Sequence, residues 1–282
     1  MATIYNIQYT SINEYEEPVS EAIFEFLASP CTDSSQTLLD FQIRNSINQE
    51  AFFSKNSFGF QTIRIRPNKP FTTLQFTYNS RVEKLDVPPL AKKLKPAEQG
   101  KVIDSTNFLI DNFLFLSKTK LTALSEETKP LLKNYNKKQG VLDFLIELNE
   151  YIYSFLKYEA KHTTVDTTAD EVLQIKKGVC QDFTHVFIAM ARENKIPCRY
   201  VSGYLDQGSE YIGSSSMHAW PEALVPGSGW IGFDPANKCI ANAHYIKVCH
   251  GSDYNDCCPI KGVLLMPKGE NKTLHQVKVV QQ

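Results

Sequence analysis

What the 282-residue chain lacks narrows it first. No stretch approaches the ~18 consecutive apolar residues of a membrane-spanning helix. The polar opening MATIYNIQYTS has no basic segment followed by an apolar run, so no export signal is expected. Neither GxxxxGK[ST] nor GxGxxG occurs, which removes the usual support for nucleotide chemistry. HExxH and spaced Cys/His sets are missing too, which disfavours a zinc hydrolase. An excess of one charge is also absent: 30 Lys and Arg face 31 Asp and Glu, so no global field favours nucleic acid or an anionic membrane. The seven cysteines are an odd number, sparse, and contain no CxxC pair. Reduced thiols in a cytoplasm fit that pattern better than a disulfide scaffold. No metal and no cofactor is expected.

What is present is ordinary globular composition, 42% hydrophobic and 22% charged, in a length that suits one large domain or two smaller ones. From Tyr5 to about Val87 the chain shows short runs alternating with period two. Thr62-Ile63-Arg64-Ile65-Arg66 and Thr73-Leu74-Gln75-Phe76-Thr77-Tyr78 are the clearest. Such alternation between polar and Gly/Pro clusters predicts a small antiparallel β-sandwich. Pro88-Pro89 followed by Lys92-Lys93-Leu94-Lys95-Pro96 has the composition of a linker. The expected division is a sandwich over 1–88 and a second domain over 89–282. The lysines read as a solvated stretch rather than a nucleic-acid patch.

Between 107 and 158 the period turns helical, with Val141, Leu142, Phe144, Leu145, Leu148, Ile152, Phe155 and Leu156 on one face. Thr167-Thr168-Ala169-Asp170-Glu171 offers capping hydroxyls and early acidic residues for a short helix that stops near Gly178. Phe183, Val186, Phe187 and Met190 then follow the i, i+3, i+4, i+7 rule and predict a helix from about Cys180 to Glu193, ended by Ile196-Pro197. Arg199 to Leu205, His218 to Val225, Trp230 to Phe233 and Ile260 to Met266 read as strands of a sheet. The second half is therefore α+β.

Cys180 stands at the start of that helix, where unpaired N–H groups and the dipole favour a thiolate and can bind an oxyanion. A free cysteine is also a common small core residue, so the helix start leaves its role open. A nucleophilic thiol needs a base, and the base an orienter. His218 opens the strand His218-Ala219-Trp220-Pro221-Glu222, and Asp234 ends Trp230-Ile231-Gly232-Phe233-Asp234. If the two strands are adjacent, the carboxylate can hold the ring by its second nitrogen. Each residue alone reads as an ordinary polar group at a strand end.

The order Cys, His, Asp, carried by GVCQDFTH, SMHAW and GWIGFDPANK with RYVSGYL between them, resembles the bacterial branch of the transglutaminase-like cysteine-enzyme superfamily. VDTTADEVLQIKKGVCQDF and HYIKVCHGSDYNDCCPIKGV extend the likeness, and residues 1 to about 88 resemble that branch's N-terminal β domain. The resemblance implies an α+β fold with an N-terminal antiparallel β-sandwich. A papain-like core would follow, with the nucleophile helix packed on an antiparallel sheet and its motifs at about 165–240. It further implies Cys180 as nucleophile, His218 as base and then acid, and Asp234 as orienter. The expected activity is that of a cysteine peptidase or amidase working through a thioester on a peptide or protein substrate. Transfer to an amine, as in a transglutaminase, and a non-catalytic binding module are the alternatives. Nucleic acid and membrane are not expected partners.

Gln181 as an oxyanion aid, Tyr204 as a substrate wall and Trp220 as a cleft lining are the further substrate-binding candidates, with the core as the other place for Trp220. His185 reads as a structural histidine on the helix and Asp182 as a cap. Pro221 departs from the family's usual β-former after HAW. It removes a ladder donor and so suits an edge or a bulge. His244, His250 and Asp253 are too irregularly spaced to suggest a metal group.

Overall fold

A computed structural model describes residues 2–86, 94–206, 212–213, 215–265 and 269–281. Six strands open the chain: β1 (Ala2–Val19), β2 (Ala22–Phe26), β3 (Gln36–Asn45), β4 (Ala51–Lys55), β5 (Gln61–Ile65) and β6 (Phe71–Leu85). Alternate residues face inward, as a pleated strand requires: Tyr5, Ile7 and Tyr9 from β1, and Leu74, Phe76, Tyr78 and Val82 from β6 are buried. The two sheets meet through aromatic rings, and Phe26 stacks on Phe76 with centroids 3.9 Å apart.

Helices follow: α1 (Pro96–Asp104), α2 (Thr106–Asp111), α3 (Phe113–Leu116) and α4 (Val141–Phe155). The expected linker falls partly outside the described residues, at Pro88-Pro89 and Lys92-Lys93, and its end at Pro96 is the first residue of α1. A two-residue strand β7 (Lys157–Tyr158), helix α5 (Ala169–Ile175), strand β8 (Lys177–Gly178) and helix α6 (Cys180–Glu193) lead into the core sheet. The α5 start is a reciprocal cap: Glu171 N–H donates to the Thr168 hydroxyl at 3.2 Å and Thr168 N–H to the Glu171 carboxylate at 2.8 Å.

The core sheet comprises β9 (Cys198–Leu205), β10 (His218–Val225), β11 (Gly229–Asp234), β12 (Cys239–Ile240) and β13 (Tyr245–Gly251), antiparallel in the order β12-β11-β10-β9-β13. The apolar residues Phe183, Val186, Phe187 and Met190 of α6 are all buried, and Phe187 stacks on Phe233 of β11 at 5.2 Å. The ladder from β10 to β11 runs only from Glu222 to Val225, so Pro221 sits where β10 pairs with β9 alone. A missing N–H is tolerated there.

A short helix, α7 (Tyr254–Cys257), precedes the last strands, β14 (Ile260–Leu264) and β15 (Asn271–Gln281). Both return to the N-terminal sandwich, whose sheets read β15-β1-β6-β3 and β14-β2-β5-β4. The strand expected from Ile260 to Met266 is thus real over 260–264, but it pairs with β2 and not with the core sheet; Met266 lies outside the described residues. Residues 260–264 and 271–281, grouped above with the second domain, hydrogen-bond into the first. Side-chain alternation marks a strand without naming its partner, and the free edges of β1 and β2 took these two.

The sandwich docks on β9 and β13. Gln36 grips the Lys247 backbone at both ends, donating to its carbonyl at 2.8 Å and accepting from its N–H at 2.9 Å, and the Tyr204 hydroxyl donates to the Ala28 carbonyl at 2.6 Å.

Candidate active site

Cys180 owes its position to how α6 begins. The Asp182 carboxylate accepts the Val179 N–H at 2.7 Å and the Thr163 hydroxyl at 2.7 Å, closing the first turn from within. Gly178 makes room for that carboxylate: a Cβ there would stand 2.6 Å from both the Cβ and Oδ2 of Asp182. Asp182 is therefore a structural cap. Burial raises its carboxyl above the usual range, outweighing the two bonds. The helix start leaves Cys180 half-buried, at the positive end of the dipole.

His218 and Asp234 meet because β10 and β11 are neighbours. His218 Nε2–H donates to Asp234 Oδ2 at 2.6 Å, with both side chains sealed from solvent. Asp234 is saturated. Oδ2 also accepts from Asn237 Nδ2 at 2.7 Å and the Tyr245 hydroxyl at 2.8 Å, while Oδ1 accepts the N–H groups of Ala236 at 2.9 Å and Asn237 at 3.1 Å. Burial pushes the carboxyl up, and the His218, Asn237 and Tyr245 contacts more than reverse it, so it lies below the ordinary value. For His218 burial pushes the imidazole down; the Asp234 charge and hydrogen bond, joined by Cys180, overcome this and raise it to about 10. The ring is thus a cation through neutral pH.

With Nε2 committed to Asp234, Nδ1 is the nitrogen left for the thiol; it has no complete hydrogen bond of its own. Gly213 lies against it, with φ +99°, and a Cβ at that position would stand 2.3 Å from Nδ1. Only a residue without a side chain fits. The Asn237 side chain ties this covering segment to the orienter: it accepts the Ile212 N–H at 3.0 Å and donates to the Ile212 carbonyl at 3.1 Å.

His218 and Asp234 are therefore joined, and Cys180 lies near enough to His218 to act on its imidazole. Of the three others expected near the substrate, Tyr204 and Trp220 are buried and Gln181 is bonded elsewhere. Tyr204 has no exposed surface and its hydroxyl is spent on the sandwich, so it is an interdomain strut and no substrate wall. Trp220 is buried behind His218, tilted 27° to its ring at 6.2 Å and edge-on to Tyr245 at 5.3 Å, so it braces the histidine. The Gln181 amide donates to the Val165 carbonyl at 3.0 Å. His185 lies buried inside α6, accepts the Tyr254 N–H at 3.2 Å, and is lowered to about 3 by burial and by Arg192. His250 sits among the rings of Phe58, Phe60 and Phe115, while Asp253 caps α7 through the Asn255 N–H at 2.8 Å. Among the described residues no group of three or more His, Cys, Asp or Glu could hold a metal ion. Nor, among the same residues, is any helix long and apolar enough to cross a membrane.

Asn237 and Tyr245 were not foreseen as members of the site. Asn237 carries a faint signal, three residues beyond Asp234 in a Pro-containing turn. Tyr245 carries none, because its hydroxyl reaches Asp234 only through the placement of β13.

Known proteins place these observations in a family. Residues 129–235 match the transglutaminase-like superfamily core, and residues 5–83 match the bacterial transglutaminase-like N-terminal region. An uncharacterized Mycobacterium tuberculosis protein is 30% identical over 226 residues, covering 75% of this chain and 71% of the other. One from Mycobacterium leprae is 27% identical over 256 residues, 88% of each. The crystal structure of "a Putative Cysteine Protease from Cytophaga hutchinsonii" aligns over 100% of this chain and 91% of that one, with a TM-score of 0.78 at 22% identity, so it shares the fold. By sequence over both of its regions and by fold throughout, the chain belongs to the transglutaminase-like superfamily.

Proposed function

We propose that this protein is a cysteine hydrolase that cleaves peptide or related amide bonds through a thioester at Cys180. The observation that carries this reading is the buried 2.6 Å bond from His218 to Asp234, which holds the imidazole as a cation with its other nitrogen free for the thiol. Such a ring stabilises a neighbouring thiolate and has a proton to give.

In the first half-reaction the Cys180 sulfur attacks the amide carbonyl carbon. The C–N bond breaks and the His218 Nδ1 proton passes to the leaving amine. In the second half-reaction His218 takes a proton from water. The oxygen attacks the thioester, the C–S bond breaks, and a carboxylic acid leaves with the Cys180 thiolate and the His218 imidazolium restored. Asp234 keeps the ring in register and stays ionised throughout. The substrate is a peptide or protein segment bearing the amide. The seven free thiols suit a reducing compartment, and we place the protein in the cytoplasm.

Alkylation of Cys180 by iodoacetamide against pH, read by peptide mass spectrometry in wild type and His218→Ala, tests the pairing. Fast labelling that persists below about pH 7 in wild type and is lost in the variant supports an activated thiolate. Ordinary thiol behaviour in both proteins sinks the enzyme reading and leaves a binding module. Product analysis with and without a primary amine then separates hydrolysis from transfer.

A further inference from the structure

Phe233 of β11 packs on α6, so strand alternation turns Gly232, and Glu222 opposite it on β10, to the other face of the core sheet. That face carries an uneven set of charges. The Glu222 carboxylate accepts from Arg199 Nε at 2.7 Å and from Lys247 Nζ at 2.6 Å, so one anion serves two cations. Burial pushes that carboxyl up, and Lys247 and Arg199 hold it down to about 2, so it is ionised. A third cation arrives from the sandwich. Lys84 of β6 is 8% exposed, and among the described residues its ammonium donates only to neutral oxygens, Ser35 Oγ at 3.0 Å and Gln36 Oε1 at 3.4 Å. Gln36 Oε1 also accepts the Lys247 N–H, which sets Lys84 beside the other two.

No counter-charge reaches Lys84. Asp33 and Asp86 are exposed, and Asp33 Oδ1 is spent on the Ser35 and Gln36 N–H groups at 2.7 and 3.1 Å. Burial lowers the Lys84 ammonium from its ordinary value, more than the Asp33 and Glu222 charges restore. A desolvated cation is costly until an anion meets it.

Lys84 and Lys247 line a cavity of about 330 Å³ together with the rings of Trp220, Trp230 and Tyr245. That volume suits a small molecule. Among the described residues, Cys180, His218 and Asp234 take no part in its walls, so it is a second site. Two of its walls nevertheless support the triad: Trp220 lies 6.2 Å from the His218 ring, and the Tyr245 hydroxyl donates to Asp234 Oδ2 at 2.8 Å.

We propose that this cavity binds a small aromatic carboxylate, with its anion on Lys84 and Lys247 and its ring among Trp220, Trp230 and Tyr245, and that its occupant acts on the triad through Trp220 and Tyr245. The unpaired cation calls for an anion, and the aromatic walls for a planar apolar body. Glu222 on the same wall repels a second negative charge, so a monoanion fits better than a phosphate. Binding stands apart from the hydrolase reading; only the effect on Cys180 rests on it.

Trp220 and Trp230 are the only two tryptophans of the chain, so the indole signals report this cavity alone. Benzoate is titrated into the full chain while the two indole N–H resonances are followed by NMR. Benzyl alcohol keeps the ring without the charge, and inorganic phosphate the charge without the ring. The expected result is a saturable benzoate shift of both indoles, ~10–100-fold weaker in Lys84→Met, the worth of one charged hydrogen bond. Benzyl alcohol and phosphate should each bind more weakly than benzoate. Ala241→Leu narrows the cavity without touching a charge and should also weaken benzoate; it decides the matter if Lys84→Met does not fold. Equal affinity in the variant that folds overturns the assignment, as does the absence of a saturable shift. Phosphate binding as tightly as benzoate overturns the carboxylate class and leaves a plain anion site.

The link to the triad has its own readout, the rate of Cys180 alkylation by iodoacetamide with the cavity saturated. A slower rate is expected, because Trp220 and Tyr245 cannot meet the ligand without moving against His218 and Asp234. An unchanged rate overturns the link. Wild type that labels as an ordinary thiol without benzoate fails the hydrolase reading and takes the link with it, while the indole shifts still decide the site.

Discussion

His218 at the head of β10 and His185 inside α6 are both buried, and burial pushes both imidazoles toward the neutral form. They end in opposite states. His218 donates Nε2–H to a carboxylate held by four other hydrogen-bonding contacts, and the ring is raised to about 10. His185 accepts a backbone N–H from Tyr254 and lies near the Arg192 guanidinium, so it is lowered to about 3. Solvent exclusion is common to both; the sign of the neighbouring charge decides which one carries a proton. On the hydrolase reading proposed above, the same contrast makes His218 useful beside a thiol and His185 packing.

Removing the charge that separates the two should have the largest effect. In Asp234→Asn the His218 proton is lost well below pH 10, so the alkaline limb of kcat/KM moves down and the rate falls ~10²–10⁴-fold, the usual worth of a placed general acid–base. NMR titration of the imidazole checks it; an unmoved titration would break the comparison at its root. Next comes Gly213→Ala, whose methyl group must displace the His218 ring. Misplacing a reacting group by about 1 Å costs ~10²-fold. Iodoacetamide labelling of Cys180 should slow accordingly, and a wild-type rate would show that the covering segment does not set the ring's position.

The converse substitution, His185→Leu, should leave the pH profile of Cys180 labelling as it is. It removes a buried acceptor for the Tyr254 N–H, so stability should drop by about 1–3 kcal/mol in a urea titration. A shifted labelling profile would give His185 a part in the chemistry after all.

The smallest effect is the pH dependence of folding itself. His218, raised in the fold, contributes stability that is complete below about pH 6.5 and is lost as pH climbs through about 10. His185, depressed in the fold, contributes stability that is complete above about pH 6.5 and is lost as pH falls toward 3. Urea midpoints in the His218→Ala and His185→Leu variants should each flatten one side of the stability curve. Flattening of the same side by both would contradict the opposite charge assignments.

Much of this site was legible before any fold. The apolar spacing of Phe183, Val186, Phe187 and Met190 located α6 and set Cys180 at its start. The Thr168–Glu171 box marked α5, and the punctuated runs marked β9, β10 and β11. Local signals of this kind depend on residues within one or two turns, or on alternate residues of one strand, so they survive without tertiary context. The roles expected of Cys180, His218 and Asp234 came instead from the resemblance of GVCQDFTH, SMHAW and GWIGFDPANK to a family, since each residue alone reads as an ordinary group at an element's end.

Other features were hidden because they depend on which elements become neighbours. The alternation in 271–281 says nothing of β1, yet Tyr5 pairs with Gln281 across the whole chain. Tyr204 on β9 could as well have faced a cleft; docking of the sandwich buried it against Ala28. Tyr245 and Asn237 join Asp234 through contacts no spacing announces.

The sequence by itself determined the elements and the place of Cys180 at a helix start, because hydrophobic period, capping and residue type are local properties, and its motifs carried the family. Tertiary structure alone decided which histidine carries charge, which side chains reach the carboxylate and the thiol, and which sheet edges the last two strands close. Those depend on burial and on the distance between charges, and both come into existence only when segments far apart in the chain are packed together.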